Sequence, residues 1–142
     1  MSTDVAPEIL SQPRPPKWRV GLRVVLRALL TVAFVAVGVL HFVRPQFFEA
    51  IAPPYLPAPL ALVYISGFFE ILGGQAIQVP RLRSTAGWGL IALLIAVFPA
   101  NVNMAMNNIQ PEGFTVTPAQ QWLRLPFQLV FIAWVWWCAR DD

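Results

Sequence analysis

Four apolar runs, each about twenty residues long, limit what this chain can fold into more than any other feature. They cover roughly Leu22–Val43, Pro59–Val79, Ser84–Ala105 and Gln120–Cys138. Wound as helices at 1.5 Å per residue, such runs are about 30 Å long, the thickness of a bilayer's hydrocarbon core. In hydrocarbon every backbone N–H and C=O must be paired within the protein, which a helix achieves by itself. Charged residues make up only 12% of the chain and hydrophobic ones 57%, too little charge to cover a surface in water. The sequence therefore predicts an all-α fold, an integral membrane four-helix bundle, with the lipid bilayer as its first partner.

Basic residues set the expected orientation. Arg14, Lys17, Arg19, Arg23 and Arg27 cluster before or at the start of the first run, and Arg81 and Arg83 lie between the second and third. Basic residues that flank apolar runs report membrane orientation, and this pattern excludes a nucleic-acid surface. The first loop has Arg44, and the third has none, with Arg124 just inside the fourth run. The positive-inside rule then predicts N- and C-termini on the cytoplasmic side of the membrane. Residues 1–19, rich in proline with Ser, Thr and Gln, read as a disordered cytoplasmic tail, and residues 20–142 as the transmembrane domain. The first run is too long for the core of a signal peptide and reads as a retained span. Arg23 and Arg27 are expected to snorkel from it to the headgroups.

Between the first two runs lies a segment rich in proline and aromatics, from Pro45 to Pro59. Its five prolines preclude a helix throughout. Its apolar content argues for an interfacial segment at headgroup level, with Phe47, Phe48 and Tyr55 as anchors. Trp134, Trp136 and Trp137 read as an aromatic belt at the inner end. Cys138 is alone, so no intramolecular disulfide can form, and no zinc, haem or C-x-x-C pattern is present.

Polar residues inside the apolar runs carry the functional information. Glu70 falls near the middle of the second span, roughly 15 Å deep. A carboxylate there costs about 2.5–3.5 kcal/mol on the insertion scale, so it must face the interior, be paired or be protonated. Ser66, Glu70 and Gly74 follow i, i+4, i+8 spacing with Gly73 beside them, and with Gly67 they make a small, polar stripe suited to close helix packing. Gly38 leaves room on the face of His41, the sole histidine. Pro99 is expected to kink the third span, with Asn101 and Asn103 just beyond it. Gln121, Arg124 and Gln128 share a face at the start of the fourth, where Pro126 falls in the tolerated first turns. Arg124 is the obvious cation for a buried carboxylate. His41, Glu70, Asn101, Asn103, Arg124 and Gln128 thus sketch a polar pocket in the outer half, with Gly38, Ser66, Gly67, Gly73 and Gly74 as packing positions. No metal-ligand set is visible, and no residue is assigned a catalytic role.

These motifs resemble the DoxX-like family of small four-span bacterial membrane proteins. The resemblance rests on Gly38-x-x-His41-Phe42 with Pro45 and Phe48, on Ile51-Ala52-Pro53-Pro54-Tyr55-Leu56-Pro57, on Ser66-Gly67-x-x-Glu70-x-x-Gly73-Gly74, on Phe98-Pro99-Ala100-Asn101-x-Asn103-Met104, and on Trp122-x-Arg124-Leu125-Pro126-x-Gln128. It implies a four-helix membrane bundle and a non-catalytic subunit or assembly factor for a membrane redox system, or a binder of a lipophilic molecule such as a quinone. Two other readings stay open. One is a membrane enzyme or proton-coupled carrier using Glu70, His41 and Arg124. The other is a purely structural interaction module.

Overall fold

The computed structural model describes residues 14–140, and all regular structure among them is α-helical. Five helices follow in order: α1 Lys17–Val43, α2 Pro45–Ile51, α3 Pro59–Ala76, α4 Arg83–Met106 and α5 Pro118–Ala139. The four long ones are each long and apolar enough to cross a membrane. The tail through residue 13 lies outside the described residues, but α1 already begins at Lys17, within the stretch assigned to that tail. Pro16 is extended, and nothing after it breaks a helix. The second span is shorter than expected, because the chain turns over Ile77–Val79 ahead of Pro80.

Local signals explain the other ends. Thr117 and Gln120 form a reciprocal capping box, with Pro118 at the first helical position, and so α5 starts two residues early. As a result Pro126 lies in the helix interior rather than in its opening turns. Asn108 takes a left-handed conformation at φ 45° after α4, and the Ile109 N–H reaches back to Met104 O at 3.1 Å, closing the helix as a Schellman turn does.

Helix α1 runs antiparallel to α3, and the register can be followed along their seam. Gln78 donates to Arg27 O, Thr31 Oγ1 donates to Gly74 O at 2.7 Å, Gly38 meets Gly67, and Phe42 stacks on Tyr64. At Gly38 and Gly67 the two backbones almost touch. A Cβ on Gly38 would stand 2.8 Å from Gly67 O, and one on Gly67 would stand 2.8 Å from Gly38 O. The gap can be this narrow only because neither residue has a side chain. Gly73 turns the other way and receives Leu90 of α4, and Gly87 of α4 receives Ala139 of α5.

The apolar core occupies the half of the bundle nearest the α3–α4 turn. Leu30, Phe34, Ile77, Leu90, Val135 and Cys138 are buried there, and Phe34 meets Phe131 across α1 and α5. Arg27 belongs to this half too, and it does not reach outward as expected. It is buried, and its Nε and Nη2 donate to Cys138 O at 3.2 and 3.0 Å, capping the C-terminal end of α5. A guanidinium suits this position, where a carbonyl has no helical partner and the dipole is negative. Arg23 donates to Arg140 O and lies over the Trp137 ring.

Outward-facing side chains on the long helices are overwhelmingly apolar. Val32 is 66% exposed, Phe68 56%, Ile95 59% and Leu123 69%.

Candidate functional site

The polar residues of the half that carries α2 and the third loop separate into three groups, each at a different helix contact. The first is His41 with Glu70. Cα–Cβ bonds point toward a helix's N-terminus, so in the antiparallel pair His41 reaches toward the start of α1 and Glu70 toward the start of α3, and the two side chains approach each other. They meet beside the glycine crossing, with His41 Nδ1 3.2 Å from Glu70 Oε2 and 2.9 Å from Val37 O. A proton on Nδ1 aimed at Val37 leaves Oε2 without a well-aligned donor, and Oε2 is buried with no hydrogen bond of ordinary geometry. Both residues are buried. The pair can hold one proton between two heteroatoms or fix two helices.

Helix α2 covers this pair. The Phe48 ring stacks on the imidazole, with centroids 3.6 Å apart and planes 17° from parallel. Phe47 packs edge-on against Phe114 of the third loop, and Arg44 lies over the same ring. Phe48 is thus turned into the bundle, unlike the anchor it was expected to be, and only Tyr55 stands well out, 73% exposed. The prolines confine the helix to Pro45–Ile51, with Pro45 at its first position, where a missing N–H costs nothing.

The second group ties α4 to α5. Asn101 Nδ2 donates to Gln128 Oε1 at 2.8 Å, and Gln128 Nε2 donates to Leu94 O. The third ties α4 to the end of α2. Asn103 Nδ2 donates to Ile51 O at 3.0 Å, and Asn107 donates to Asn103 Oδ1. Both asparagines are therefore used as clips next to Pro99 rather than gathered around one pocket. A groove of about 390 Å³ is lined by Pro53, Tyr55, Phe98, Pro99, Val102 and Met106 among others, and of the six candidate residues it takes in only Asn103.

Arg124 does not pair with Glu70. It is exposed, and its guanidinium points to Met104 Sδ at 3.6 Å. The face it was expected to share divides: Gln121 and Gln128 turn inward, and Gln121 Nε2 holds the third loop through Ile109 O. Ser66 is half-buried, whereas Gly67, Glu70 and Gly74 form the inner face. Three residues that matter carry no sequence expectation, Thr31, Gln78 and Gly87, and Arg27 was expected at the headgroups. Arg27 gave a signal, since it lies a full turn deeper than Arg23, further in than a headgroup contact needs.

The Asn101–Gln128 bond predicts a measurable coupling. In a double-mutant cycle with N101L and Q128L, the pair should show roughly 1 kcal/mol of interaction in thermal unfolding; additive effects would mean the bond contributes nothing.

A family model matches residues 30–139, and its family is described as a domain of unknown function, DUF8561. The chain belongs to this family. The DUF8561 match begins inside α1 and takes in α2 through α5, and with them His41, Glu70 and both clips. No curated protein and no solved structure matches the chain.

Proposed function

We propose that this DUF8561 chain is an integral membrane protein of the bacterial inner membrane, with four spans and both ends in the cytoplasm. In our reading it serves as a non-catalytic subunit or assembly factor of a membrane redox system. The observation that carries the membrane part is the inside-out surface of the four long helices. Leu123, Val32 and Phe127 are each more than 60% exposed, and α1, α3, α4 and α5 all present large apolar residues that are more than half exposed. A contiguous apolar surface of this kind has no stable partner in water and a natural one in lipid tails. Orientation is supported by charge. Of the 10 basic residues, only Arg44 and Arg124 lie toward the end that carries α2 and the third loop.

The subunit role draws on how the polar side chains are used. Asn101, Asn103, Gln121 and Gln128 all spend donors on neighbouring elements. Such residues build a rigid platform, and the resemblance to DoxX-like proteins suggests a redox system as the assembly it serves. Crosslinking in native membranes followed by purification in mild detergent tests this. A co-purifying redox protein, or a retained quinone in lipid extracts, is the expected result; a chain that carries neither would reject the role.

A second reading, a proton-coupled carrier, is favoured by one observation, the buried Glu70 Oε2 beside His41. It predicts that E70Q abolishes pH-driven transport in proteoliposomes while leaving partner capture intact.

A further inference from the structure

The inner end of the α4–α5 pair carries a groove that the proposed function leaves unused. It has a volume of about 360 Å³ and is lined by Ser84, Gly87, Trp88, Ile91, Trp136 and Arg140, with Ala139 at its back. Its composition changes with depth. Ser84, at the start of α4, and Arg140, just past the end of α5, line the mouth. Arg140 is held in place by stacking 4.5 Å above the Trp136 ring. Ser84 lies in the first turn of α4, where backbone N–H groups have no helical acceptor and no side chain caps them. Further along α4 the wall becomes Trp88, 63% exposed, and then Ile91. The floor is flat because Gly87 lets Ala139 approach it directly.

We propose that this groove binds an anionic phospholipid of the cytoplasmic leaflet, its phosphate at Arg140 and Ser84 and an acyl chain along Trp88 and Ile91. The inference rests on the membrane reading above. A guanidinium, a hydroxyl and an uncapped helix start form an anion-binding mouth. Indoles beside it belong at headgroup level, and basic pockets between helices on the cytoplasmic side are where anionic headgroups bind. The apolar wall of Trp88, with Ile91 behind it 8% exposed, is what separates a lipid from a free anion. Asp141 and Asp142 follow Arg140 directly and oppose an anion, so neutralising them should strengthen binding.

Native mass spectrometry of the full chain, exchanged from detergent into an equal mixture of phosphatidylglycerol and phosphatidylcholine, tests the site. The chain is expected to retain phosphatidylglycerol with roughly fivefold preference. R140Q should bring that ratio close to one, S84F should do the same by filling the mouth, and D141N/D142N should raise it. R19Q, on the same basic end but outside the groove, should leave it unchanged. No preference in the native chain, an equal loss in R19Q, or an unchanged ratio in D141N/D142N would overturn the proposal. Displacement of the lipid by inorganic phosphate would replace it with a free-anion site. The membrane reading fails separately, by a chain that stays folded and monomeric in buffer without detergent.

Discussion

Gly67→Leu is expected to prevent the chain from folding, and Gly67→Ala to lower its stability by roughly 2–3 kcal/mol. The reason is the α1–α3 crossing. Any Cβ at residue 67 would lie 2.6 Å from His41 Cβ and 2.8 Å from Gly38 O. Neither neighbour is the free end of a flexible side chain, so the helices themselves must move apart. That separation would pull His41 from Glu70 and Thr31 from Gly74 O, the contacts on either side of the crossing. Gly89 provides the control, because a Cβ there meets nothing within 4 Å. G89A should be neutral or slightly stabilising, since alanine is the better helix former by about 1 kcal/mol. Thermal unfolding in detergent, read side by side for G67A and G89A, separates a packing effect from a propensity effect. Equal melting temperatures would remove the crossing from the account.

Arg27→Ala is the second large effect, and it should be local. Arg27 is buried and donates twice to Cys138 O, fixing the end of α5 to the start of α1. Hydrogen bonds from a charged group are worth about 1.5–3 kcal/mol, and the change also leaves a cavity in place of a long side chain. The expected loss is roughly 3 kcal/mol. Cys138 supplies a direct reporter: it is fully buried and is the chain's sole cysteine. In the native protein its thiol should resist a maleimide, and in R27A it should be labelled at least about tenfold faster, as a loosening of 1.4 kcal/mol or more requires. R27K should fall between, because an ammonium keeps the charge but not the planar fork. Unchanged labelling in R27A would show that the end of α5 is held without Arg27.

Hydropathy made the helices legible, and local chemistry fixed their ends. Four apolar runs gave four long helices, but Pro126 became an interior proline because the Thr117 capping box starts α5 earlier than hydropathy does. The depth of Glu70 could be read from its position, whereas its partner could not. Charge logic chose Arg124, the strongest cation nearby, and the fold chose His41. The deciding information was in the glycines: Gly38 and Gly67 each lie three residues before the polar residue they serve, and together they bring α1 and α3 into contact. Asn101 and Asn103 are two residues apart and so turn to different neighbours, one to Gln128 and one to Ile51 O. Six polar residues of one half-bundle therefore do not make one pocket. Phe48 was read as a headgroup-level anchor because its segment is too apolar for a loop in water and too rich in proline for one helix, and only the short helix α2 turns it onto His41.

Single-cysteine accessibility in intact cells tests the four-span arrangement most directly. With Cys138 replaced by alanine, one cysteine at a time is placed at Arg81, at Glu112 and after Asp142. The account predicts that a membrane-impermeant maleimide labels the Glu112 position in intact cells, and labels the Arg81 and C-terminal positions only after permeabilisation. Labelling of the Arg81 or C-terminal position from outside would contradict it.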